Sequence, residues 1–173
     1  MASRLDVVPH LDDLWRYARV LTRNDDAAED LVQEALTRAL SFAATYDSSR
    51  PLLPWLIAII RNTYLAGLTR KTAEQRRVSD LVLLAESSEL PAQEHSSDLL
   101  RVQRAMEALP AEQAEVLHLV GVLGFTYSDA GRVLGIPSGT VMSRLSRARS
   151  ALQKLLEMPV IRPTGLRVVG GQE

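Results

Sequence analysis

The residues of this chain best equipped for chemistry are short hydroxyls and arginines gathered in one stretch. Thr140, Ser143, Arg144, Ser146, Arg147 and Arg149 all fall within ten consecutive positions. On a helix, such side chains suit a DNA major groove, where guanidiniums and hydroxyls meet base-edge acceptors and phosphate oxygens. Arg147 can reach base edges, while Arg144 and Arg149 can hold phosphates. Catalysis has no comparable constellation. With no cysteine, the chain offers neither a disulfide nor a thiolate site, and His10, His95 and His118 lack metal-ligand spacing. Each histidine is expected at the surface or a boundary, and no metal, cofactor or enzymatic activity is expected.

The elements that must position the arginines are legible around them. Phe125 to Arg149 divides into two short helices and a tight turn. The first is expected over roughly Ser128 to Leu134, with Gly131 at its middle, where a side chain would block a partner helix. Gly135 supplies the left-handed residue that ends it, and Pro137 follows because it cannot continue it. Ser138 offers a cap to the second helix. There Val141, Leu145, Ala148, Leu152 and Leu155 recur at three- and four-residue steps and make one buried stripe. Together these features make a helix-turn-helix.

A DNA binder usually carries a basic excess, yet this chain of 173 residues has a net charge of −1. The charge is segregated. Asp25 to Glu34 holds five acidic residues and no basic one, whereas Arg61 to Arg77 holds five basic residues against Glu74 alone. From Ser138 to Glu157 there are four basic residues against one acidic. Two basic segments suggest two contacts with one polyanion, and the acidic segment suggests a protein partner.

The remaining pattern is helical, and strand signals are weak. A first helix over roughly Leu11 to Leu21 is expected to turn Leu11, Leu14, Trp15, Ala18 and Leu21 inward. A second begins at Asp25 or Asp26, whose carboxylates cap it. Its stripe is Ala28, Leu31, Val32, Ala35, Leu36, Ala39 and Leu40, with Asp30, Gln33 and Glu34 opposite. Thr45 to Pro54, with two prolines and two serines, is a loop, and a third helix runs from Trp55 to about Lys71. A helix from Asp98 to Leu109 breaks at Pro110 and resumes from Glu112 to Leu123. No segment approaches a membrane span and no signal peptide opens the chain, so a cytoplasmic protein without membrane insertion is expected. The fold class is all-α: two small helical modules joined by a flexible linker. The modules are drawn at 8–72 and 98–157, with the linker at 73–97, in which Leu81 to Leu84 could dock transiently, and a flexible tail at 158–173.

In order and separation, DAAEDLVQEALTRAL, RPLLPWLIAIIRN and LGIPSGTVMSRLSRAR resemble the bacterial sigma-70 family, in particular its extracytoplasmic-function (ECF) group, which retains sigma regions 2 and 4. The resemblance covers roughly Leu11 to Leu156. It implies that Asp30, Gln33 and Glu34 dock on the β′ clamp helices of core RNA polymerase. It implies that the Thr45 to Pro54 loop captures an extruded base of the −10 promoter element, with Arg61, Asn62, Arg70 and Lys71 on the adjoining strand. Ser143, Ser146 and Arg147 would contact the −35 element, supported by Thr140, Arg144 and Arg149. Met142 stands where these proteins usually carry a cation. Promoter DNA, core polymerase and an anti-sigma factor are the implied partners. The other reading is a stand-alone helix-turn-helix regulator with an N-terminal sensing or dimerisation module, which would need neither the acidic face nor a second basic helix.

Overall fold

A computed structural model describes residues 5–78 and 97–157, and among these residues every regular element is helical. The first module comprises α1 (Leu11–Thr22), α2 (Asp25–Ser41) and α3 (Leu52–Val78). The second comprises α4 (Ser97–Glu107), α5 (Ala111–Leu117), a π-helical turn (His118–Val122), α6 (Tyr127–Leu134) and α7 (Ser138–Glu157). Leu81 to Leu84, His95 and the tail lie outside the described residues.

Local chemistry explains most boundaries, with some differences from expectation. Asn24, not Asp25 or Asp26, caps α2: its side chain accepts from the Ala27 N–H at 2.9 Å. Asp25 is inside the helix and pairs with Arg19. The third helix starts at Leu52 rather than Trp55, so Pro54 falls in its first turn, where a missing N–H costs little. It continues to Val78, past the boundary expected at 72. Its Leu52–Thr72 stretch is long and apolar enough to cross a membrane, with mean hydropathy 1.2, contrary to expectation. Here, however, Leu56, Ile57, Ile60 and Thr63 of that helix are buried against protein. Pro110 does interrupt the chain between α4 and α5.

Two of the expected inward faces hold only in part. In α1 the buried residues are Leu14, Tyr17 and Ala18, whereas Trp15 is 36% and Leu11 38% exposed. In α2, Ala28, Leu31, Val32, Ala35 and Ala39 are buried as expected, but Leu40 is 67% exposed. His118 is also a correction: it is 4% exposed and its ring lies 6.0 Å from that of Tyr17. The burial of Tyr17 and His118 has one cause. The modules are packed together, α1 on α5 and α3 on α6, and their buried side chains form one continuous apolar cluster. Tyr17 and His118 face each other across that seam.

Candidate nucleic-acid interface

The helix-turn-helix is built from a few local contacts. Thr126 caps α6 by accepting from the Asp129 N–H at 3.0 Å, and it donates to the Asp129 carboxylate. Gly135 closes the helix at φ 68°. Ile136 N–H then returns to the Gly131 carbonyl at 3.0 Å, and the Pro137 carbonyl accepts from Thr140 and Val141. Ser138 is the first residue inside α7 rather than its cap. A Cβ on Gly131 would sit 2.8 Å from the Ile136 backbone oxygen, so only glycine permits this approach of turn to helix. Val141, Leu145 and Ala148 anchor α7 in the core, with Leu152 and Leu155 half-buried beyond them.

That anchoring decides which α7 side chains reach solvent. Met142, Ser143, Ser146, Arg147 and Arg149 are exposed, and Thr140 is half-buried. Ser143 donates to the Thr140 carbonyl at 3.0 Å, and Arg147 Nε to the Ser143 carbonyl at 3.3 Å. Arg144 differs: it is half-buried and pairs with Glu112 of α5 at 2.9 Å.

The second basic segment is divided by its helix. Arg61 and Asn62 are adjacent on α3 and therefore point about 100° apart. Asn62 is exposed and lines a cavity of about 240 Å³ with Arg38, Phe42, Thr45, Trp55, Ile59 and Thr63. Thr63 Oγ1 is buried there without a hydrogen-bond partner. Trp55 serves both sides, half-buried against the core and facing Tyr46 at 5.2 Å, so it is neither wholly core nor a free platform. Arg61 points the other way, and its Nε donates to Glu115 of α5 at 2.8 Å. Arg70 and Lys71 are exposed farther along α3. Besides Asn62, Thr45 is the one lining residue within the loop that the resemblance singled out; Arg38, Phe42, Trp55, Ile59 and Thr63 carry no sequence signal of their own, because they converge from α2, its C-terminal end and α3.

The acidic residues lie on the outer face of α2. Asp30, Gln33 and Glu34 are exposed, opposite the buried Leu31 and Ala35. Glu34 is engaged by Arg38 at 2.6 Å, four residues on. The face is therefore single-signed only as far as Glu34; beyond it Arg38 offsets the repulsion expected between Asp30 and Glu34.

Both modules are similar to known proteins. Residues 7–74 match the family Sigma-70 region 2, and residues 99–152 match Sigma-70, region 4. An ECF RNA polymerase sigma factor, EcfG of Rhodopseudomonas palustris, is 35% identical over 153 residues, covering 88% of this chain and 84% of that protein. SigM of Mycobacterium tuberculosis, also an ECF RNA polymerase sigma factor, is 33% identical over 148 residues, covering 85% and 73%. The sigma factor RpoE of Bartonella quintana, solved in complex with the anti-sigma factor NepR, superposes with a TM-score of 0.75 at 36% identity, covering 91% of this chain and 96% of that one.

Proposed function

The chain belongs to the ECF group of the sigma-70 family, whose members bind core RNA polymerase and direct it to promoters, and on that premise we propose how its side chains divide the work. Such proteins are initiation factors rather than enzymes, and this one works where the polymerase does, in the cytoplasm. The outer face of α2, with Asp30, Gln33 and Glu34, docks on the β′ clamp helices. The exposed face of α7 reads the −35 element: Ser143, Ser146 and Arg147 at base edges or backbone, Thr140, Arg144 and Arg149 in support.

The −10 element is held by α3 and the cavity beside it. Strand opening leaves an unstacked base, which needs a concave site with a few polar groups next to cations. The observation that carries this reading is the cavity itself: its size suits one base, Asn62 offers both donor and acceptor, and Thr63 keeps an unpartnered hydroxyl inside it. Arg61, Arg70 and Lys71 hold the strand's phosphates. An anti-sigma factor is the remaining partner, by analogy with the RpoE–NepR complex.

Adding the protein to purified bacterial core polymerase and sequencing the transcripts tests the whole assignment. Initiation at a shared pair of promoter elements is the expected result, and Asn62→Ala should weaken it by loss of −10 selectivity. Transcripts that start at the same sites without the protein would refute it.

A further inference from the structure

The seam between the modules is polar at its centre, and one carboxylate organises it. Glu115 Oε1 accepts from Tyr17 Oη at 2.7 Å and from Arg61 Nε at 2.8 Å. Both donors belong to the first module, while Glu115 belongs to the second. Its side chain is 12% exposed and that of Arg61 is 21% exposed, so water competes weakly for either. A second strap lies nearby. Arg19 reaches Glu107 at 3.1 Å, and Arg23 donates to the Leu109 carbonyl, just before Pro110, at 2.8 Å. Arg23 is the one non-glycine among the described residues with positive φ, 56°, at a helix end where glycine is the usual choice. Its own N–H closes α1 on the Arg19 carbonyl at 2.9 Å, and from that position its side chain reaches across the seam.

The packed arrangement is incompatible with promoter engagement. Elements named −10 and −35 lie about 25 base pairs, or about 85 Å, apart along a duplex. A compact body of this chain length measures only about 40 Å across. The modules must part, and residues 79–96 can span at most about 60 Å while they do so. Parting exposes some apolar surface of the shared cluster but strands no polar group. Every polar group in it regains a partner in water, and the natural replacement for Glu115 at Arg61 is a phosphate.

We propose that Glu115 is the keystone of a self-closing contact: in the free chain its carboxylate holds Tyr17 and Arg61 and so withholds Arg61 from promoter DNA until the modules separate. The DNA half of this proposal rests on Arg61 being a strand contact; the closure does not. Glu112, three residues earlier, engages Arg144 within the second module, so that pair does not cross the seam, and its largely exposed glutamate makes it the weaker contact.

The chain has no cysteine, so Ala27→Cys and Ser150→Cys, both at exposed positions and one in each module, can carry a dye pair in the full-length protein. High energy transfer is expected in the free protein. Glu115→Gln, which keeps the shape and removes the charge, should lower it, and so should Tyr17→Phe, which removes one hydroxyl; circular dichroism confirms that each variant is folded. Binding of a mixed-sequence single-stranded oligodeoxynucleotide by Glu115→Gln should tighten about tenfold. Adding Arg61→Ala to that variant should abolish the gain. Low transfer in the unmutated chain, or transfer unchanged in both folded variants, overturns the closure. Opening without tighter DNA binding overturns the competition at Arg61. Initiation with core polymerase is read separately, so a chain that initiates without ever closing sinks this proposal and leaves the sigma-factor reading standing.

Discussion

Arg147 and Arg61 are the same residue type, each on a helix assigned to DNA, in opposite situations. Arg147 stands in solvent and touches only the carbonyl of Ser143 on its own helix. Arg61 lies in the seam on a carboxylate from the other module. The C-terminal module thus displays its binding face by rigid local geometry, while the N-terminal module divides its face between an open cavity and a cation already engaged. A displayed guanidinium competes with water for phosphate; an engaged one competes with a protein anion as well. Recognition by the two modules should therefore respond differently to charge, pH and packing.

The largest effect should come from the N-terminal module's outer face. Asp30→Arg with Glu34→Arg should abolish co-elution with core polymerase, because like charges set against a partner cost several kcal/mol. Fold stability should drop by only about 1 kcal/mol, although Glu34→Arg also loses the pair with Arg38 and the variant lines up three cations at four-residue steps. Retained co-elution would remove polymerase docking from the contrast between the modules.

Acid should act next, and at the seam. Burial pushes His118 down from 6.5 to about 4, with Asp13 favouring and Arg16 opposing its protonation. Tyr17 faces it from α1, and Glu115 lies one turn earlier on its own helix. Because the folded value is depressed, the unfolded chain binds the proton first as pH falls below 6.5. Stability is full above that value, declines between pH 6.5 and 4, and has lost on the order of 3 kcal/mol below. Urea denaturation across that range should show the decline, and His118→Gln should flatten it.

Gly131→Ala tests the displayed face. Its new methyl would meet the Ile136 backbone oxygen, so the turn must shift, at about 1–3 kcal/mol by thermal denaturation. Loss of −35 selectivity should accompany it, with the α3 cavity unaffected. The smallest effect is expected from Met142→Arg, which puts a cation on an exposed α7 position. One more neutralised phosphate should steepen the log–log salt dependence of promoter binding by about 0.9. An unchanged slope would mean that residue 142 faces away from DNA.

What the sequence disclosed follows the same division. Gly131, Gly135, Pro137 and the Val141–Leu145–Ala148 stripe act through neighbours a few positions away, so the helix-turn-helix could be read almost to its boundaries. The α2 cap was ambiguous because Asn24, Asp25 and Asp26 are all competent, and the structure separates them: Asn24 accepts from the Ala27 N–H, while Asp25 turns to Arg19. The Glu34–Arg38 pair sat at a legible spacing and could have been found. Tyr17, His118 and Arg61 could not, since what buries or engages them comes from the other module, Glu115 lying 98 positions after Tyr17. Periodicity identifies a face; it does not say which of two neighbours will cover it.

The π-helical turn has a consequence for chain length. Leu123 N–H returns five residues to the His118 carbonyl, and Phe125 N–H returns to Leu119, so this turn holds one residue more than an α-helical one. Removing one residue from His118–Val122 would let the backbone close to ordinary pitch, and the slack of the widened turn would take up the loss, so the chain beyond it would keep its direction. Adding a residue has no such slack to draw on: everything downstream would be rotated by about 100°, Phe125 would leave the core, and the helix-turn-helix would face a new direction. The aim of the DNA-reading helix is thus buffered on one side only, against a residue lost and not against a residue gained.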